Sequence, residues 1–161
     1  MGQRRWSANT ICPAGRTSNA ASASERTEGT TEMTPSDPAP RLDLVTNFTF
    51  EAAHQLPHAP DHSKCRRLHG HSWKVEVQVS GELQEETGWV VDFDDIQKAC
   101  GPVYEALDHR YLNDIEGLEN PTSEIIALWI WERLASVIPG LAAVIVYETC
   151  TARCVYRGPP S

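Results

Sequence analysis

The chain has 161 residues, of which 40% are hydrophobic and 22% are charged, and its formal net charge at pH 7 is −8. This balance is typical of a globular domain and excludes a fibrous or wholly disordered protein. No run approaches the roughly 20 apolar residues that a membrane-spanning helix needs, and the negative charge disfavours sequence-independent binding to nucleic acid.

Residues 1–40 differ in composition from the rest of the chain. Of these residues, 24 are Ser, Thr, Ala, Pro or Gly, and after Met1 the only large apolar side chains are those of Trp6, Ile11 and Met33. Such a segment buries too little surface to offset its ordering entropy. We expect a disordered N-terminal extension over 1–40, with Met33 as an alternative start, and one folded domain over 41–161.

The first part of the folded region predicts an antiparallel meander. Apolar and polar side chains alternate over residues 42–54 and 69–80, which is the pattern of strands with one buried face. A loop containing two prolines separates these strands. Residues 89–91, Trp-Val-Val, predict a short third strand.

A first helix is predicted over residues 92–107. Asp92 is suited to the N-cap, and two further aspartates in the first turn complement the helix dipole. The pair Gly101-Pro102 predicts a kink in this helix.

The remaining elements are a second helix and two strands. The helix is predicted to begin at Asn120-Pro121 and to end before Pro139-Gly140, and strands are predicted over 141–149 and 152–156. The predicted buried stripe of the helix is Ile126, Trp129, Ile130, Leu134 and Val137. This order predicts an α+β fold, a mostly antiparallel sheet with both helices on one face.

Three histidines lie on the predicted apolar strand faces. His54 ends the first strand, and His69 and His71 project to the same side of the second strand. If the strands pair, three neutral imidazoles meet, which is typical of a Zn²⁺ site. Two alternatives stay open: hydrogen-bonded core histidines, and a closed structural site in which Cys65 is the fourth ligand.

Three other features are candidates for chemistry. Cys65 lies among three basic residues whose charge favours a thiolate. Asp108 and His109 pair a carboxylate with an imidazole, which can deprotonate a thiol. Glu148 lies on a strand face with apolar neighbours, so it either faces solvent or awaits a ligand rich in hydrogen-bond donors.

The chain contains five cysteines, an odd number without regular disulfide spacing. This usage predicts reduced thiols and therefore a cytoplasmic protein.

Several motifs together resemble the pyruvoyl-tetrahydropterin synthase superfamily, in family order over about residues 44–158. The motifs are Phe48-Thr49-Phe50-Glu51-Ala52-Ala53-His54, Cys65-Arg66-Arg67-Leu68-His69-Gly70-His71, Leu107-Asp108-His109, Asn120-Pro121-Thr122-Ser123-Glu124 and Glu148-Thr149-Cys150-Thr151-Ala152. The spacing from Cys65 to the histidines looks most like the bacterial 6-carboxy-tetrahydropterin synthase branch of this family.

The resemblance implies a T-fold (tunnelling fold), in which antiparallel sheets from several subunits join into a barrel. It implies a homohexamer with active sites between subunits, and Zn²⁺ held by His54, His69 and His71. The implied partners are therefore copies of the same chain and a small-molecule substrate, with no nucleic acid and no membrane.

The resemblance also implies roles in catalysis. Cys65 is the implied catalytic thiol, activated by His109 with Asp108 behind it, and Glu148 is implied to anchor the pterin. The implied substrate contacts are Glu148, Thr149 and Thr122. The implied candidates for binding triphosphate are Lys64, Arg66, Arg67 and Arg110.

The implied reaction converts 7,8-dihydroneopterin triphosphate to 6-carboxy-5,6,7,8-tetrahydropterin and releases acetaldehyde and triphosphate. This is a lyase reaction that feeds the biosynthesis of 7-deazapurines such as queuosine. The alternatives are 6-pyruvoyl-tetrahydropterin synthase activity on the same substrate and a non-catalytic, zinc-stabilised assembly module.

Overall fold

The sheet is the framework that positions the histidines. The computed structural model describes residues 39–160, so the predicted N-terminal extension lies outside the described residues and stays a prediction. The strands are β1 (Arg41–His54), β2 (His69–Glu82), β3 (Arg110–Tyr111), β4 (Leu141–Thr149) and β5 (Ala152–Tyr156). Their order across the sheet is β3-β1-β2-β4-β5, and all pairings are antiparallel except that of β3 with β1.

Two helices pack on one face of this sheet. Helix α1 (Phe93–Leu107) is capped by Asp92, whose carboxylate accepts a hydrogen bond from the N–H of Asp94, and it continues through Pro102. Helix α2 is Ser123–Leu134. Neither helix within residues 39–160 has the length and apolar character that a membrane span needs.

One hydrophobic core joins the helices to the sheet, because the inward positions of the strands alternate with outward ones. Its fully buried side chains include Trp73, Val75, Val77, Val144 and Val146 from the strands and Ile96, Leu107, Ile126, Ile130 and Leu134 from the helices. The predicted α+β arrangement, with both helices on one face, is confirmed.

The predicted strand over residues 89–91 is wrong. This segment forms bends, because Gln84 donates its N–H to the carbonyl of Trp89 and Gly88 donates to the carbonyl of Gln84. These local hydrogen bonds close a turn after β2 and take the place of a ladder with another strand.

Two details of α2 also differ from the prediction. The N-cap is Thr122 and not Asn120, since the Thr122 hydroxyl accepts a hydrogen bond from the N–H of Ile125. The side-chain oxygen of Asn120 accepts from the N–H of His58 instead. Val137 is not part of the buried stripe: it follows the end of the helix and is 55% exposed.

Candidate metal centre and active site

The register of β1 and β2 brings the three predicted histidines together. His54 and His69 are directly opposite each other in the ladder, and His71 follows on the same side of β2. The Nε2 atoms of His54 and His69 lie 3.0 Å apart. The His71 ring is centred 5.2 Å from that of His54 and 5.0 Å from that of His69.

Hydrogen bonds at the outer nitrogens fix the orientation of two of these rings. Nδ1 of His54 lies 2.9 Å from the carbonyl oxygen of Pro121, and Nδ1 of His69 lies 2.7 Å from that of Arg67. A carbonyl oxygen only accepts, so each Nδ1 carries the hydrogen and each Nε2 presents a lone pair to the other. Two lone pairs 3.0 Å apart favour a cation between them, and this outer bonding is typical of metal ligands.

The third imidazole presents its Nε2 atom to the same group. Nε2 of His71 is buried and has no hydrogen-bond partner within the described part of the chain, although Glu148 Oε1 lies 3.4 Å away. Burial, together with the neighbouring His69, lowers the pKa of both His54 and His71. Neutral rings are the form that binds metal.

The three histidines and Glu148 therefore form a group that could hold a metal ion. One potential ligand atom from each side chain lies within 4.8 Å of the others. The buried, unpartnered His71 nitrogen and the facing lone pairs fit a divalent ion with imidazole ligands. Cys65 is not a member of this group, so the geometry does not support the alternative of a closed Cys-His₃ site.

The segment that enters α2 orients both the histidines and the carboxylate. Pro121 accepts from His54, and two residues later the Ser123 hydroxyl donates to Glu148 Oε2 at 2.9 Å. Glu148 Oε1 is left facing His71. Sequence reasoning missed Ser123, and the available signal was its hydroxyl beside the helix cap in the motif Thr122-Ser123-Glu124.

Asp108 and His109 form a hydrogen-bonded pair at the end of α1. His109 Nδ1 donates to Asp108 Oδ2 at 2.8 Å, and the Glu51 N–H donates to Asp108 Oδ1 at 3.0 Å. Burial alone would raise the pKa of Asp108, but its hydrogen bonds from Glu51, His109 and Tyr104 outweigh burial and lower it. Asp108 is therefore an ionised acceptor for the Nδ1–H of His109.

The backbone at His109 turns the ring toward the sheet. His109 has φ = 56°, a left-handed conformation that histidine adopts more readily than branched residues do. Its N–H donates to the Glu51 carbonyl oxygen at 2.7 Å.

His71 and His109 line one open cavity of about 380 Å³. The cavity therefore connects the predicted metal site with the Asp108–His109 pair. Its other lining residues are Glu51, Ala52, Ala53, Gly70, Ser72 and Arg110.

Cys65 lies apart from this pair within one chain. It occupies a short 3₁₀ turn over residues 64–66, is half-buried, and donates its N–H to the Ser63 hydroxyl. Over residues 39–160 no hydrogen bond or ion pair joins Cys65 to Asp108 or His109, and Cys65 does not line the cavity. The predicted contact between thiol and imidazole stays a prediction.

Three further predicted residues have hydrogen bonds within the chain. Thr122 Oγ1 caps α2, and Thr149 Oγ1 accepts from the N–H groups that begin β5. Arg66 donates to the carbonyl oxygens of Pro57 and Ala59, so its guanidinium braces the loop between β1 and β2. The predicted substrate contacts of these side chains stay predictions.

A family model described as 6-pyruvoyl tetrahydropterin synthase matches residues 43–159, nearly all of the described chain. The chain belongs to this family. The 6-carboxy-5,6,7,8-tetrahydropterin synthase of Synechocystis sp. is 50% identical over 122 residues, which cover 72% of this chain and 93% of that relative. The dihydroneopterin monophosphate aldolase of Pyrococcus furiosus is 42% identical over 97 residues, covering 60% of this chain and 82% of that relative.

A solved structure supports the same assignment. The 6-pyruvoyl tetrahydropterin synthase of Caenorhabditis elegans matches with a TM-score of 0.70 and 29% identity, covering 75% of this chain and 98% of that chain. Both the family resemblance of the motifs and the predicted T-fold are confirmed.

Proposed function

We propose that the protein is a zinc-dependent lyase that converts 7,8-dihydroneopterin triphosphate to 6-carboxy-5,6,7,8-tetrahydropterin, with release of acetaldehyde and triphosphate. The observation that carries this proposal is a group of possible metal ligands beside an Asp-His pair, in a chain 50% identical to the Synechocystis enzyme of that name. We place the reaction in cytoplasmic biosynthesis of 7-deazapurines such as queuosine.

His54, His69 and His71 would hold the metal. Three neutral imidazoles with no thiolate favour Zn²⁺ and leave a coordination position open. When bound, the ion supplies Lewis acidity that polarises an oxygen of the substrate side chain and acidifies the neighbouring C–H bonds.

Asp108, His109 and Cys65 are proposed to move protons. Asp108 holds Nδ1–H of His109, so Nε2 of that ring can accept a proton from the Cys65 thiol or from substrate. The thiolate then acts as the second base. The left-handed backbone and the two hydrogen bonds with Glu51 hold the Asp108–His109 segment beside β1.

Glu148 is proposed to bind the pterin. Its Oε2 atom is held by Ser123, which fixes the carboxylate plane and leaves Oε1 to accept from N–H groups of the aminopyrimidine ring. Thr122 and Thr149 lie on the two elements that carry this pair, α2 and β4, and are proposed to flank the ring.

A homohexamer would bring the remaining groups together. Strand β3 pairs with β1 only at Ala52 and Ala53. Residues 41–50 of β1 therefore form an open edge, with no strand paired to it in the described part of the chain. Open edges of this kind favour pairing with a second chain. We propose that a neighbouring subunit brings its Cys65 to the cavity that contains His109.

The test is to incubate the zinc-loaded protein with 7,8-dihydroneopterin triphosphate, trap the aldehyde and identify the pterin by mass spectrometry. We expect acetaldehyde and 6-carboxy-tetrahydropterin in equal amounts, and a rate lower by roughly 10²–10⁴-fold with His109→Ala, which is what a general base contributes. A pyruvoyl product without acetaldehyde, or only aldol cleavage of dihydroneopterin monophosphate, would contradict the proposal.

A further inference from the structure

We infer that Tyr104 is a positioning residue for the proton-transfer pair, because its hydroxyl shares the Asp108 carboxylate with His109 and limits how tightly that carboxylate holds the imidazole. The inference rests on the proposed function of Asp108 and His109. Tyr104 does not line the cavity shared by His71 and His109, so we do not propose that it touches substrate.

Two donors meet at one oxygen of the carboxylate. The Tyr104 hydroxyl donates to Asp108 Oδ2 at 2.9 Å, and His109 Nδ1 donates to the same oxygen at 2.8 Å. The other oxygen, Oδ1, accepts from the N–H of Glu51. The hydroxyl therefore competes with the imidazole for the negative charge on Oδ2.

Tyr104 is held more firmly than the ring that it influences. It lies one helical turn before Asp108, and its carbonyl oxygen accepts the Asp108 N–H at 2.9 Å. Its ring packs edge-on against Phe48 of the core, with centroids 6.4 Å apart. The side chain of His109, in contrast, is 79% exposed, so Asp108 is its main support.

The sign of the effect follows from this competition. If the Tyr104 hydroxyl were absent, Asp108 Oδ2 would accept from His109 alone. The carboxylate would then interact more strongly with His109 and stabilise its imidazolium form. Removal of the hydroxyl should therefore raise the pKa of His109. Since His109 is proposed to act as a base, the acid limb of activity should move to higher pH in the same variant.

Several other titratable or charged groups line the two cavities that His109 lines. From β1 and β2 these are Glu51 and His71, and from β3 and the turn after it they are Arg110, Tyr111 and Asp114. They are unchanged by a substitution at Tyr104, so a difference between variants reports the hydroxyl.

The experiment is an NMR titration of ¹³Cε1-histidine in the zinc-loaded protein, with the His109 signal assigned by its loss in His109→Asn. We expect Tyr104→Phe to raise the pKa of His109 by about half a pH unit or more. The matched control is Tyr156→Phe, which removes a half-buried hydroxyl without a hydrogen-bond partner in residues 39–160 and should leave the pKa of His109 unchanged.

A second variant distinguishes the effect of the hydroxyl from a loss of structure at the end of α1. Tyr104→3-fluorotyrosine keeps the ring and makes the hydroxyl a stronger donor, so the pKa of His109 should fall. Structural damage would not move the two variants in opposite directions. A His109 signal that titrates as in the unmodified protein in both variants would overturn the inference.

The outcomes separate this inference from the proposed function. If the unmodified protein releases acetaldehyde but the acid limb of kcat/KM and the His109 titration stay in place in Tyr104→Phe, the inference fails and the function stands. If the titration shifts as expected but the pterin triphosphate is not converted, the coupling stands and the proposed function fails.

Discussion

The surroundings of individual side chains decide which of them are reactive. Cys100 lies on the buried face of α1, where burial raises the pKa of its thiol to about 11. Cys65 is only half-buried and lies in a turn. The same residue type is therefore an inert core group at one position and a candidate nucleophile at the other.

This contrast predicts selective alkylation. At pH 8 iodoacetamide should modify Cys65 about a hundredfold or more faster than Cys100, because reaction requires an accessible thiolate. Peptide mass spectrometry over a time course measures both rates, and unfolding in urea should remove the difference. Equal rates in the folded protein would contradict the buried position of Cys100.

The sequence reveals the histidine group more readily than the carboxylate beside it. The period of two in a strand places His69 and His71 on one side, and hydrophobic alternation identifies that side as the inner one. Glu148 joins them because β4 pairs with β2, with Tyr147 opposite Lys74, and Ser123 at the start of α2 then orients its carboxylate. Contacts of this kind depend on tertiary packing and have no local pattern.

Among the elements, strand interiors and one helix cap can be predicted from the sequence, whereas a turn and a very short strand cannot. The interiors of β1, β2 and β4 follow from alternation, and the cap at Asp92 follows from residue type. The segment 89–91 contains strand-forming residues, yet local turn hydrogen bonds override this preference. Strand β3 has two residues, which is too short for any periodicity to indicate it.

Two glycines with the same backbone conformation provide a test of the packing between β2 and β4. Gly140 (φ = 76°) would place an added Cβ 2.6 Å from the Ser80 carbonyl oxygen, whereas Gly88 (φ = 72°) has open space around it. Gly88→Ala should cost about 1 kcal/mol for the left-handed conformation alone. Gly140→Ala should cost at least about twice as much, because backbone must also move.

Thermal unfolding at matched protein concentration measures the two glycine variants side by side. Gly140→Ala should show a clearly larger drop in Tm than Gly88→Ala. Equal drops would contradict the close approach of Gly140 to the Ser80 carbonyl oxygen.

We propose that the assembly of several chains completes the site. Cys65 and His109 have no mutual hydrogen bond within residues 39–160, and the outer edge of β1 over residues 41–50 has no partner strand there. A single sequence predicts the elements of one chain but not how their edges meet in an oligomer. This is why the family resemblance, and not residue spacing, carried the expectation of shared active sites.

Complementation tests this sharing of residues. Cys65→Ala and His109→Ala should each be almost inactive. Mixing them in equal amounts, with dissociation and reassociation, should restore up to about a quarter of the activity of the unmodified protein, because random assortment gives about a quarter of the shared sites both intact residues. Each variant reassociated alone is the control. No recovery in mixed oligomers would place both residues in the same subunit's site.

Metal content of purified Cys65→Ala tests the central claim most directly, with His69→Ala as the matched comparison. If three imidazoles hold the ion and the thiol serves chemistry, Cys65→Ala keeps one zinc per chain and an unchanged Tm but loses turnover, while His69→Ala loses the zinc. Loss of zinc and of thermal stability in Cys65→Ala would instead make the sulfur a ligand and contradict the catalytic account.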